Sequence, residues 1–207
     1  MKSFILNLNE SFKRNKWFYV LTTLFLCVGF VLGIYTVYYM GQGMKTDLVN
    51  YLTTFIETLK DKPIKYGFLI FESFKNNGAM FLIIFILGLI SIGGPFILIL
   101  LLVKGYVIGF TLSIITTALG GKGVGISIIA LAPQNLLFLP AIIIFSTLAL
   151  EMSILKLKSK FGDSYNLKEN LSKSLNFVVI IFCIVLVGVL IESFFSSTIL
   201  RYIIMKI

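Results

Sequence analysis

Histidine is absent from all 207 residues. That removes the Ser/His dyad of rhomboid-type proteases, zinc hydrolysis through histidine ligands and haem held by histidine. Cysteine is nearly absent too: Cys27 and Cys183 both fall inside apolar runs. They read as small apolar fillers there and build no disulfide framework. Charge is scarce, at 13% of residues, against about 25% in an ordinary soluble domain. No aspartate lies inside an apolar run, so an intramembrane aspartyl dyad is excluded. The glycine-rich Gly120-Gly121-Lys122-Gly123-Val124-Gly125 sits between two such runs. It opens no soluble helix, so it reads as a tight turn and not as a phosphate cradle. A soluble catalytic domain is missing as well, because the longest stretch outside the apolar runs is Gly41 to Asn77.

What is present is hydrocarbon. Hydrophobic residues make up 58% of the chain and the mean hydropathy is +1.00. The expected fold is an all-α polytopic membrane protein forming a single integral membrane domain. About 20 apolar residues cross the bilayer as a helix. By that measure five transmembrane helices are expected, at about 17–40, 78–92, 96–119, 126–155 and 176–195. Trp17 and Tyr19 mark one rim of the first and Tyr35, Tyr38 and Tyr39 the other. That run is too long for a signal sequence and lacks a small-residue cleavage site. Gly93-Gly94-Pro95 reads as the turn between the second and third spans.

Lysine and arginine collect on cytoplasmic flanks. The leader carries Lys2, Lys13, Arg14 and Lys16, and the connection after the fourth span carries Lys156, Lys158, Lys160, Lys168 and Lys173. Both are expected inside, which puts the N-terminus in the cytoplasm and the nearly balanced segment 41–77 outside. The net charge of +9 is then mostly topogenic. Its spread over several flanks excludes a nucleic-acid footprint.

Segment 41–77 reads as a pair of amphipathic helices lying on the outer surface. Leu48, Leu52, Phe55 and Leu59 repeat at helical spacing, and so do Phe68, Phe71 and Phe74 after Pro63. Leader and tail show the same pattern more weakly. Such helices either seat the bundle or offer a docking surface over Thr46 to Lys75.

Polar groups at membrane depth are functional candidates because burying them is costly. Lys104 lies about nine residues into the third span, roughly 13 Å at 1.5 Å per residue. Glu151 lies near the inner end of the fourth, and the two are expected to approach each other. Pro133 and Pro140 would each break a straight helix over 126–155, since proline lacks a donor and clashes with the preceding turn. The expectation is a re-entrant half-helix ending at Pro133 and a second helix kinked at Pro140, with Gln134 and Asn135 satisfying the freed backbone. Asn76 and Asn77 precede Gly78, where Asn77 would cap the second span. Gly29 and Gly33, and Gly105 and Gly109, have the Gly-x-x-x-Gly spacing of close helix contacts, which favours a homodimer.

Two stretches carry a resemblance. "NNGAMFLIIFILGLISIGGPFILILLLVKGYVIGF" (Asn76 to Phe110) and "APQNLLFLPAI" (Ala132 to Ile142) resemble the stage II sporulation protein M family, whose signature couples a Pro-His/Gln-Gly/Asn element to a later Leu-Pro-Ala. Many relatives have an acidic residue where Phe138 stands and an Asn where Lys104 stands. The resemblance implies a non-enzymatic scaffold without cofactor or metal, required for engulfment. It implies a place in the bacterial cell membrane, at the sporulation septum and around the forespore. The implied partners are a sporulation protein P amidase and a sporulation protein D lytic transglycosylase, both peptidoglycan-degrading. The competing class is a small transporter or channel with its site around Lys104, Gln134 and Asn135.

Overall fold

The computed structural model describes residues 15–61, 66–160 and 187–189. All regular structure among them is helical: α1 (Lys16–Tyr38), α2 (Gln42–Asp61), α3 (Tyr66–Gly88), α4 (Gly93–Leu119) and α5 (Gly121–Ser159). Four stretches are long and apolar enough to cross a membrane: α1, α3, α4 and the Asn135–Ser159 part of α5. The fifth expected span, 176–195, falls outside the described residues except for a helical piece at 187–189, and the leader before Asn15 and the tail after Val189 fall outside entirely.

Helix α1 carries no charge after Lys16 and supplies a ruler. Trp17 is 82% exposed near one end, and Tyr38 is 72% exposed at the other. Tyr39 stacks on Tyr35 (centroids 5.7 Å apart) and meets Tyr38 edge-on at 5.0 Å. At 1.5 Å per residue, Trp17 and Tyr38 are about 32 Å apart, close to the roughly 30 Å of a hydrocarbon core with its aromatic belts.

The most extensive helix contact among the described residues joins α1 to α4, and four glycines explain it. A Cβ at Gly29 would strike the carbonyl oxygen of Leu102, and one at Gly33 that of Tyr106. Reciprocally, Gly105 faces the carbonyl of Leu26, and Gly109 that of Phe30. The numbers rise together along both helices, so the two run parallel. Backbones that close exchange Cα–H···O contacts and van der Waals attraction, the main cohesion available between helices in lipid. The expected glycine faces are real, but they meet inside one chain and are not left over for a second copy.

Three expectations from the sequence are corrected here. First, α3 begins at Tyr66, not Gly78, so Phe68, Phe71 and Phe74 belong to the membrane-length helix itself. Asn77 sits in its middle and caps nothing. Second, α5 runs unbroken through Pro133 and Pro140, replacing the half-helix that was to end at Pro133. A proline removes one hydrogen bond, and the neighbouring turns hold the helix through it at the expense of straightness. From the Gly94–Ser153 hydrogen bond, α4 climbs to Gly120 and α5 returns over about seven more residues, roughly 10 Å of helix at 1.5 Å each. Tilt or bending of α5 must absorb that surplus, and prolines permit it. Third, Lys104 and Glu151 occupy different levels. Glu151 lies next to the α3–α4 turn, whereas Lys104 is ten residues above Gly94, about 15 Å along the axis.

Helix α5 is central. Half of its membrane-length window is buried, against 17 to 28% for the other three. Its Phe138, Ile142, Phe145 and Ala149 meet Leu26 of α1, Ile84 of α3, Ile97 and Leu101 of α4, and Val189 in one core. The Phe81 and Phe145 rings are 5.4 Å apart within it. Gly88 presses on Ala149, where an added Cβ would come within 2.9 Å of the alanine methyl.

Helix α2 is the amphipathic one. Leu48, Val49 and Leu52 are half-buried while Thr46, Asp47, Asn50 and Glu57 are exposed, and the helix packs on α4.

Candidate functional site: a polar seam in an apolar bundle

The lipid-like interior leaves orphan polar groups with few places to go, so a buried polar side chain is costly without a partner. The seam begins at the α3–α4 turn, Leu89–Ile92. The last carbonyls of α3 and the first N–H groups of α4 have no partner within their own helices. Ser153, 1% exposed on α5, resolves both sides at once. Its hydroxyl donates to the Ile90 carbonyl at 2.8 Å and accepts the Gly94 N–H at 3.0 Å. Lys156, one turn further on, donates to the Leu89 carbonyl at 2.8 Å, a cation placed where the helix dipole of α3 ends. Gly93 must be glycine, since a Cβ would strike the Leu87 carbonyl. Three helices are thereby clamped at one corner.

Next along the seam, the Asn15 side chain, 6% exposed, donates to Glu151. Its backbone carbonyl accepts from Phe18 and Tyr19 at the start of α1. Above it, the hydroxyls of Thr22 and Thr147 are 3.1 Å apart and both residues are fully enclosed. Thr22 donates back to its own helix, at the carbonyl of Phe18 or Tyr19. Thr147 is therefore the donor between helices. The Ser146 hydroxyl is enclosed beside it and has no hydrogen-bond partner among the described residues.

At mid-depth Lys104, half-buried, donates to the side-chain carbonyl of Asn77 at 3.2 Å. Asn77, 8% exposed, hands its own amide to the Ser73 carbonyl at 3.2 Å. Each link orients the next: Ser73 fixes the Asn77 amide, which fixes the oxygen offered to Lys104. On α5, Asn135 is 9% exposed and Phe138 3%. Phe138 packs on the 187–189 piece, where a Cβ at Gly188 would lie 2.9 Å from its ring.

The residues expected to matter thus divide. Asn77, Lys104, Asn135 and Glu151 lie inside the bundle, with Lys104 next to Asn77 and not next to Glu151. Gly105 and Gly109 are contact points for α1. Asn76 and Pro140 are exposed. Of Pro133 and Gln134 only the backbone is described. Sequence reasoning missed Asn15, Thr22, Thr147, Ser153 and Lys156. The signal for Ser153 was available: a Gly-Gly-Pro turn inside an apolar protein needs a hydroxyl from a facing helix.

Chemically, these groups hold helices together. Cys27 is free and exposed on α1. Among the described residues no three His, Cys, Asp or Glu side chains gather as a metal site would need.

A family model described as Stage II sporulation protein M matches residues 22–197. That reach takes in most of α1, from its seventh residue on, and the whole of α2 to α5. No curated protein and no solved structure matches the chain. Over most of its length, then, the chain belongs to the Stage II sporulation protein M family of sporulation-related membrane proteins.

Proposed function

We propose that this chain is a non-enzymatic scaffold of the engulfing membrane, anchoring or recruiting peptidoglycan-degrading partners at the sporulation septum. The family match over residues 22–197 carries the proposal. The partners are the sporulation protein P amidase and the sporulation protein D lytic transglycosylase that the family implies. The basic leader and the basic connection after Ser159 face the cytoplasm, and 176–195 is a fifth crossing. Helix α2 then lies on the side where the wall is cut. Its exposed Thr46, Asp47, Asn50 and Glu57 offer polar contacts that an apolar membrane helix lacks, and its seat on α4 ties them to the clamped bundle.

Photo-crosslinkers placed along exposed positions of α2 in sporulating cells test this. Capture of the amidase or the transglycosylase is expected. Their consistent absence, with the chain present in the septum, would reject the reading. The half-buried cation at Lys104 favours a second reading, a small transporter or channel with Gln134 and Asn135 along its path. Substrate flux in proteoliposomes that disappears in Lys104→Leu would replace the scaffold with that function.

A further inference from the structure

We propose that the outward face of α3 is where two copies of this chain meet, through Glu72, Lys75, Asn76 and Ala79. Steps of about 100° per residue place these four on one side of the helix, opposite the buried Ser73, Asn77, Ile84 and Gly88. Lys75, Asn76 and Ala79 are exposed and Glu72 half-buried. Among the described residues the side chains of Glu72, Lys75 and Asn76 make no hydrogen bond or ion pair.

Their depth makes the exposure costly. Gly105 lies on Leu26 and Leu102 on Gly29, so Lys104 is level with residues 27–28 of α1. That is about 16 Å from Trp17 and about 15 Å from Tyr38 by helical rise, the middle of the aromatic ruler. Asn77, hydrogen-bonded to Lys104, is as many residues from Gly88 before the α3–α4 turn as Lys104 is from Gly93 after it. Both counts put Asn77 at the midplane. Asn76 and Lys75 are then within one turn of it and Glu72 within two. The four-carbon stem of Lys75 is too short to bring its ammonium to either surface. Polar and charged groups at that depth face protein, not lipid.

The residues also say which protein. Glu72 and Lys75 are opposite charges one turn apart, about 4.5 Å along the axis. A two-fold axis along the membrane normal keeps each residue at its own height, so Glu72 reaches diagonally, one turn along the axis, to the partner's Lys75, and Lys75 to the partner's Glu72. Asn76 is donor and acceptor together and pairs with the partner's Asn76, while Ala79 lets the helices close. Such a patch is self-complementary, as an isologous contact requires. The Gly-x-x-x-Gly faces cannot serve in its place because α1 and α4 fill each other's. The interface needs no other protein, so purified chain tests it apart from the scaffold role.

The test is disulfide trapping of the full chain in lipid nanodiscs or vesicles, with Cys27→Ser and Cys183→Ser as background. Ala79→Cys is expected to give covalent dimer several-fold above Val107→Cys, which is exposed on α4. Glu72→Lys, which sets like charges across the axis, is expected to lower the yield to that control. Adding Lys75→Glu restores it. Asn76→Leu reads the same interface without touching the charges, and lowers trapping while the monomer's thermal stability stays unchanged. Equal yields at Ala79 and Val107, or a dimer indifferent to both Glu72→Lys and Asn76→Leu, would overturn the proposal.

Discussion

Helices α1 and α3 flank the same core and are held in opposite ways. Helix α1 meets α4 backbone to backbone, through four glycines and the carbonyls they face. Helix α3 has one such contact, Gly88 on Ala149, and is otherwise tethered by side chains: Asn77 to Lys104, and the carbonyls of Leu89 and Ile90 to Lys156 and Ser153. In lipid there is little hydrophobic force between helices, so shape and hydrogen bonds must supply the cohesion. The molecule relies mainly on shape for α1, which adds the Asn15–Glu151 and Thr22–Thr147 links to α5, and mainly on hydrogen bonds for α3. Shape fails abruptly when atoms are added, whereas a tether fails gradually when a partner is removed.

The largest effect should come from adding atoms at α1–α4. Gly29→Ala or Gly105→Ala forces the backbones apart and should cost ~3 kcal/mol each, near the upper end for overpacking. Gly105→Leu should leave no folded chain. Gly43→Ala and Gly67→Ala, with nothing within 4 Å of the added atom, should leave stability unchanged or slightly raised. Thermal unfolding in detergent reads the four alanine variants, and a uniform response would show that the glycine contact is not special.

Removing a tether at the α3–α4 corner should cost less. Ser153→Ala strips a partner from both the Gly94 N–H and the Ile90 carbonyl in a site only 1% exposed. The expected loss is ~2 kcal/mol. Lys156→Met removes one bond at a half-buried position and should cost ~1 kcal/mol. A Ser153→Ala that unfolds at the wild-type temperature would mean that the turn satisfies itself.

The Asn77–Lys104 pair sharpens the contrast through sign. Asn77→Leu leaves the lysine facing a hydrocarbon side chain and should cost ~1.5 kcal/mol. Lys104→Leu should cost less, because a neutral asparagine keeps its bond to Ser73. The double variant should be close to the Lys104→Leu value, since two apolar partners leave no orphan charge. Strictly additive losses in the cycle would show that the pair is not coupled.

How much of this was legible in the sequence follows the same division. The all-helical membrane class, the first span and the close approach of helices at Gly29, Gly33, Gly105 and Gly109 were legible, because hydropathy and glycine spacing are local. The partner of each glycine was not: a spacing of four names a face and never what meets it. The start of α3 was misread because Glu72, Lys75, Asn76 and Asn77 interrupt the apolar run, and hydropathy ends a span where charge begins. The fold instead turns Asn77 inward to Lys104 and leaves the other three on the outer face. Lys104 is half-buried beside Asn77, whereas its partner was sought at Glu151 by counting from span ends that the structure moves. Pro133 was read as a break and Pro140 as a kink, although α5 runs through both as one helix.

The smallest predicted effect tests whether hydrogen bonds inside this bundle stabilise it or merely avoid a penalty. Thr22 and Thr147 are fully enclosed and bonded to each other at 3.1 Å, yet Thr22 already returns its proton to its own helix. Replacing Thr147 with Val removes the hydroxyl donor that links the two threonines and keeps the shape. Interhelical bonds of this kind average only about 0.6 kcal/mol in membrane proteins, because the separated helices find other partners. A Thr22→Val, Thr147→Val cycle should therefore give a coupling near 0.6 kcal/mol, several-fold below the cost of one added methyl at Gly105. A coupling as large as the glycine effect would reverse the ranking drawn between α1 and α3, making the hydroxyl pair and not the backbone contact the main hold on α1.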